Sequence, residues 1–312
     1  MSAIPSAVVD GLPDPAAVPP ARSSRTRQVI GATWGSPTGR VGLIMLAVTV
    51  LLAVFGPFLV GTSPTHQNLM ATNEPPSWLG GGGGLLGTDS LGRDVLSRAV
   101  HGLRLSLMFG LGVATASAVL GLGLGLLAGY EQRFAGPILL RVADIQFALP
   151  FVVVGLALTA VMGPGILKLA VVLSIWGWTV YARTIVSSVA QVCRMDYITA
   201  ARTHGTGAVR LLLRHVAPNV LGPVVVLWTT SAGVMILVES SLSLLGLGAQ
   251  PPSFSLGTML GDATTQLRLA WWAVVSPGVV LLWIVLAFNL TGDGLRDALS
   301  SSGRIEHDPE LV

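Results

Sequence analysis

The side chains that could carry chemistry are few and scattered. Five histidines, His66, His101, His204, His215 and His307, lie on different segments. They lack the short, regular spacing of zinc ligands, so they do not read as a metal site. Neither a His-Glu-x-x-His pair nor a Gly-x-Ser-x-Gly elbow occurs, which removes the zinc-hydrolase and serine-nucleophile signatures. The only lysine, Lys168, is followed by Leu169, so there is no Gly-x-x-x-x-Gly-Lys-Ser/Thr loop to cradle a nucleotide phosphate. The single cysteine, Cys193, cannot form an internal disulfide and reads as a buried structural thiol, with Arg194 the one electropositive neighbour in sequence. Arg141 and Asp144 stand three apart and read as a local interfacial ion pair. Glu239 reads as a cap or anchor for an outer loop rather than a coupling-ion site, because a charge at mid-bilayer costs roughly 2.5 kcal/mol or more. No catalytic, cofactor-binding or metal-ligating residue is expected in this chain.

The elements around these residues explain the scarcity. The 312 residues include only 18 basic and 15 acidic side chains, 11% of the chain, against the ~25% usual for soluble domains. Hydrophobic residues make up 52%, and the mean hydropathy is +0.72. A soluble enzyme, a disordered regulator and a nucleic-acid binder are excluded: the basic surplus is too thin for a phosphate-binding face despite a pI near 9.6. What remains is an all-α integral membrane protein.

About 20 apolar residues as helix cross a bilayer core. Five charge-free stretches meet that length or nearly so: Val41–Val60, Leu105–Tyr130, Ile145–Leu167, Asn219–Val238 and Ala273–Leu290. A sixth, Leu169–Ala182, becomes long enough if Lys168 and Arg183 snorkel to opposite interfaces. Ser240–Gly261 has the length but carries Pro251, Pro252 and several glycines and serines, whose freed backbone groups lipid cannot satisfy. It is expected to be an outer loop with one or two short helices against the bundle. The first run is too long for a signal peptide and lacks a cleavage pattern, so it is read as a permanent span. Thirteen arginines fall on the N-terminal side, and four arginines and Lys168 fall opposite, which predicts both termini cytoplasmic.

Residues 1–28 read as a disordered cytoplasmic tail and residues 29–104 as the first span and its outer loop, with Gly80–Gly84 as a flexible joint. Residues 105–297 read as the core, including a cytoplasmic loop over 190–218, and 298–312 as a cytoplasmic tail. Ser117, Gly121, Gly125 and Gly129 recur every fourth residue and let another helix approach closely. That helix belongs either to this chain or to a partner; spacing alone leaves both open.

The segment from Asp196 to Asn219 stands out. Ile198, Ala201 and Arg202 share a face, Gly205 and Gly207 break that helix, and a second helix over 208–216 is expected to end at Pro218, which opens the next span. By composition it is a membrane-surface amphipath or a docking element for another protein.

The spacing Thr199-Ala200-Ala201-x-x-x-Gly205, with Pro218 thirteen residues on, resembles the "EAA" loop of bacterial ABC importer permeases. Thr199 stands where the family usually has Glu, and Ala217 where it has Leu. Two further segments are similar to the dipeptide/oligopeptide/nickel permeases, second subunit type. They are Gly87-Thr-Asp-Ser-Leu-Gly-Arg-Asp-Val-Leu-Ser-Arg98 and the pair Glu239–Pro252 and Ala287–Asp297.

The resemblance implies a type I importer permease of six transmembrane helices in a bacterial cytoplasmic (inner) membrane. It implies a heterodimer with a homologous permease, two cytoplasmic ATPase subunits that hold ATP and Mg, and an extracytoplasmic substrate-binding protein. The cargo implied is a di- or oligopeptide, with lipid the other partner and no nucleic acid. Thr199, Ala200, Ala201, Arg202, His204, Gly205, Arg210 and Pro218 would form the ATPase-coupling loop. A same-fold permease for nickel, glutathione or another small solute remains an alternative, as does an ion-coupled secondary transporter.

Overall fold

A computed structural model describes residues 31–305; the tail over 1–28 and the end of the chain after 305 lie outside the described residues. The described residues form helices and loops, with a single isolated bridge between Thr88 and Asp94. We label the helices α1 (Pro37–Leu59), α2 (Val95–Tyr130), α3 (Ala135–Ala148), α4 (Phe151–Met162), α5 (Ile166–Val192), α6 (Asp196–Thr203), α7 (Ala208–Leu211), α8 (Ala217–Leu244), α9 (Leu256–Thr264) and α10 (Trp271–Ile305). A π-helical turn over Leu212–Val216 joins α7 to α8, so that Ala208–Leu244 is one continuous 37-residue rod.

Among the described residues, five helices are long and apolar enough to cross a membrane: α1, α2, α5, the α7–α8 rod and α10. The expected third span, Ile145–Leu167, is not one straight helix. It is replaced by α3 and α4, which meet at 83° and count as a sixth crossing only when taken together. The cause is local. Pro150 offers no amide and pushes Leu149 into an extended conformation (φ −91°, ψ 129°), which ends α3. The fourth span is α5, whose 27 residues include both Lys168 and Arg183 near its two ends; Lys168 donates to the Met162 carbonyl in the turn before it.

α2 is the central strut. It opens at Asp94, whose carboxylate accepts from the Leu96 and Ser97 amides at 2.8 and 3.3 Å. Its small-residue stripe meets α5 of the same chain, which settles the question spacing left open. A Cβ on Gly125 would lie 2.8 Å from Ile185 Cβ, and one on Gly129 2.7 Å from Val189 Cβ. Gly121 faces Tyr181 and the Trp178 carbonyl, and Ser117 Oγ donates to the Ser174 carbonyl at 3.2 Å. An isolated chain therefore does not lack the facing helix. The neighbouring stripe, Gly110 and Ala114, packs on Ile236 and Ala232 of α8. α1 lies along α10, tied by Trp283 Nε1 donating to Thr49 Oγ1 at 3.1 Å.

The long loop between α1 and α2 is tightly tied. Gly80–Gly84, expected as a flexible joint, folds into a turn closed by Ser77 N to Gly84 O (2.8 Å) and Gly83 N to Pro75 O (3.3 Å). The stretch Ser240–Gly261 does not cross: α8 runs on to Leu244, and α9 follows as a short helix against α2, α8 and α10. α10 continues past Asp297 through Ile305, so the tail expected from residue 298 begins as helix.

Asp144 does not pair with Arg141. Its carboxylate meets Arg183 of α5 at 2.5 Å, and Arg183 also stacks on Phe147 at 4.5 Å. Both charged side chains are about half exposed, 42% and 54%. Asp144→Asn is therefore expected to shift stability by less than about 1 kcal/mol; a thermal-unfolding midpoint far below the parent's would contradict this.

Candidate functional site

The turn between α5 and the α7–α8 rod occupies the end of the bundle where α2 finishes. α5 stops at Val192, Cys193 and Arg194 turn the chain, and Met195 is extended before α6 starts. α6 is eight residues long and ends on two hydrogen bonds of a glycine-terminated helix. Gly205 N donates to Arg202 O at 3.0 Å, and Thr206 N donates to Ala201 O at 3.2 Å. That closure puts the residue between them in the left-handed region, and Gly205 takes it with φ +78° and open space around it. Gly207 then returns to extended backbone and starts α7.

The segment has two sides. Ile198, Leu211, Leu212 and Val216 are buried with Ile185, Val189 and Val192 of α5, and with Leu126 of α2. They form an apolar keel. Thr199, Ala200, Arg202, His204, Gly205 and Arg210 are exposed on the other side, with Ala201 between. The Arg202 guanidinium covers the Tyr130 ring at 5.1 Å, so the segment is also fastened to the end of α2. The coupling residues expected from the sequence thus lie on one turn, except Pro218. Pro218 stands in the first turn of α8 and so opens the next span as expected, but the helix before it does not stop there. It sits in the rod, where the Ala217 amide reaches back five residues to the Leu212 carbonyl and a π turn absorbs the proline.

Cys193 is half-buried, and burial pushes its thiol pKa up; the charge and hydrogen bond of Arg202, not Arg194, pull the other way without reversing it. The thiol stays protonated near neutrality, as suits a packing residue.

The opposite end holds two charged sites: Asp89, Arg93 and Arg98, which the sequence offered only within a motif, and Glu239, which was expected to anchor the outer loop and does so. In the first, Asp89 accepts from the Leu91 and Arg93 amides at 2.9 Å each, from Arg93 Nε at 2.7 Å and from Arg98 at 2.5 Å. Arg98 is 2% exposed and lies over Phe254 at 5.0 Å. Asp262 of α9 reaches both arginines at 3.4 Å. Burial alone raises the Asp89 pKa, but the Arg93 amide and the Arg93 and Arg98 charges outweigh it and hold the carboxyl below its ordinary value. In the second, Glu239 is fully buried and accepts from Ser106 (3.5 Å), Ser240 (3.3 Å) and Ser243 (2.6 Å). Ser106 Oγ also accepts from the Leu256 amide at 3.3 Å, so this acid and its serines fix α9 to α2 and α8. The run of serines after Glu239 was the available signal. Among the described residues, no three His, Cys, Asp or Glu side chains are grouped to hold a metal ion.

Comparison with known proteins agrees with this architecture. Residues 121–304 match the binding-protein-dependent transport system inner membrane component family, and residues 35–76 match the N-terminal transmembrane domain of oligopeptide transport permease C. The chain is similar to the di/tripeptide transport system permease protein DppC of Pseudomonas aeruginosa, 43% identical over 83% of this chain and 86% of the relative. It is 42% identical to the dipeptide permease protein DppC of Escherichia coli, over 83% of this chain and 87% of the relative. The corresponding Haemophilus influenzae protein is 36% identical, over 83% and 88% respectively. With a family match over most of the bundle and relatives of this identity along nearly its whole described length, the chain belongs to the binding-protein-dependent transport system inner membrane component family.

Proposed function

We propose that this chain is one of two permease subunits of an ATP-driven importer that moves di- and oligopeptides across the bacterial cytoplasmic membrane by alternating access. The relatives named above are di- and tripeptide permeases. One structural observation carries the mechanism. The exposed turn around Gly205 is bolted through its keel to three long helices, so a push on it moves the bundle and not merely a loop. The distribution of arginines supports a cytoplasmic side for that turn and both termini.

The partners in this reading are a homologous permease, two cytoplasmic ATPases that hold ATP and Mg, and an external binding protein that selects the cargo. Closure of the ATPase pair on ATP supplies the energy. In this chain, Thr199, Ala200, Arg202, His204 and Arg210 receive the contact, and Ile198, Leu211, Leu212 and Val216 pass the displacement to α2, α5 and α8. The bundle then rocks between inward- and outward-open arrangements.

Gly205→Val tests the coupling role. A branched side chain in the left-handed region costs about 1–2 kcal/mol, enough to displace the turn by about tenfold in population. The expected result is normal accumulation of the chain, retained ATP hydrolysis and about a tenfold loss of uptake. Full uptake in this variant removes the coupling assignment. The cargo is tested separately by mass spectrometry of what co-purifies with the external binding protein: peptides are expected, and nickel or another solute overturns the peptide reading.

A further inference from the structure

A patch at the end of the bundle opposite the Gly205 turn has no part in the coupling reading. Trp271 is the first residue of α10 and stands two positions before the charge-free apolar run that starts at Ala273. At ~1.5 Å rise per residue it stands about 3 Å along the helix axis from the start of that run. Trp78, in the short helical turn Ser77–Leu79 of the long loop, packs edge-on against it with centroids 6.2 Å apart. Trp272 continues the ladder at 6.0 Å but points inward, donating Nε1 to the Thr88 carbonyl at 3.1 Å. Trp78 and Trp271 remain 61% and 42% exposed.

The exposed part of this ladder is largely carbon. Trp78 Nε1 donates to the Leu85 carbonyl at 3.0 Å, which leaves its carbon face outward. Leu79 and Leu85 in the same loop, and Leu269 two residues before Trp271, are large exposed apolar side chains. The patch is also continuous with a spanning surface: Trp271, Val275, Val279 and Leu282 follow one another at helical spacing, and all four are exposed. Arg268, three residues before Trp271, is exposed beside the patch and carries the sign that attracts lipid phosphates. Tryptophan at the boundary with a basic neighbour is the composition of a membrane-interface anchor.

From this placement we infer that residues 77–85 form a membrane-contacting element, seated in the lipid headgroup layer with Trp78, Leu79 and Leu85 against lipid, and not a loop in solvent. Lipid is the occupant because the patch prolongs the exposed stripe of α10 without a break. Its effect is to pin the long loop to the bilayer surface. Through Thr88 and Trp272, and through Asp89 and Arg98, that same loop is tied to α10 and α2.

The chain has one cysteine, so Cys193→Ser supplies a background for site-directed spin labels. Leu85→Cys and, separately, Leu269→Cys are labelled with a nitroxide, with Ser253→Cys in the neighbouring loop as the reference. The full-length chain, with its transport partners, is placed in vesicles of phosphatidylethanolamine and phosphatidylglycerol. Power saturation then compares oxygen with a water-soluble nickel chelate. At 85 and 269 the oxygen-to-nickel accessibility ratio is expected to exceed the reference by at least about fivefold, because oxygen concentrates in lipid and the chelate is excluded. A ratio equal to the reference means a solvent loop and overturns the inference. Low accessibility to both reagents means that a protein covers the patch, and this overturns it equally. If Leu85→Cys misfolds, Leu79→Cys on the same element takes its place and decides.

Discussion

Asp89→Ala is expected to destabilise the protein by about 3–5 kcal/mol, the cost of leaving a buried charge without its partner. The residue stranded is Arg98, whose side chain is 3% exposed. Its other acid among the described residues is Asp262, 3.4 Å away on a side chain 52% exposed to solvent. Two backbone amides, those of Leu91 and Arg93, lose their acceptor at the same time. Asp262→Asn removes only the outer, solvated member and is expected to cost less than about 1 kcal/mol. Thermal unfolding of the two variants in the same detergent separates them, and equal midpoints would show that the buried pair is not what holds this end together.

The same site sets an acid limit. Because the folded pKa of Asp89 lies below its ordinary 3.8, its contribution is complete above that value. It is lost as pH falls through the lower folded value. The parent is therefore expected to lose stability below about pH 4 more steeply than an already weakened Asp89→Asn.

Gly125→Leu is expected to have the largest effect within the bundle. The added Cβ would stand 2.8 Å from Ile185 Cβ, 2.9 Å from its Cγ2 and 3.3 Å from the Ala182 carbonyl. Ile185 is branched at Cβ and cannot swing aside, so α2 and α5 must separate. Overpacking typically costs about 1–3 kcal/mol, and leucine places three more carbons in a space that rejects even the first. Gly123, two residues earlier, faces open space, and Gly123→Leu is expected to be tolerated. Membrane accumulation and thermal midpoint measured for both give a direct contrast. If the two behave alike, the α2–α5 contact does not depend on small residues.

Part of this was legible from residue order. The apolar runs marked α1, α2, α5, α8 and α10, because hydrocarbon demands a minimum length and that length is a property of sequence. The helix break at Gly205 was legible too, since only glycine takes its φ of +78° without strain. Pro150 carried a comparable signal, but an apolar run around it masked the 83° bend. Pro218 opens α8 as local rules say, but a π turn carries the preceding helix into it without a break.

Pairings over long separations were not legible. Asp144 has Arg141 three residues away and chooses Arg183 on another helix. Asp89 waits for Asp262 to complete its cluster, and Glu239 for Ser106. The sequence by itself determined which segments must enter the membrane and which turn needs glycine, because burial length and backbone sterics are local. Only the tertiary structure decided that the glycine stripe of α2 faces α5 of its own chain, which charges are paired, and that the Gly205 turn is keeled into the bundle. Those outcomes depend on which surfaces meet in space, and spacing along one helix cannot name the helix opposite.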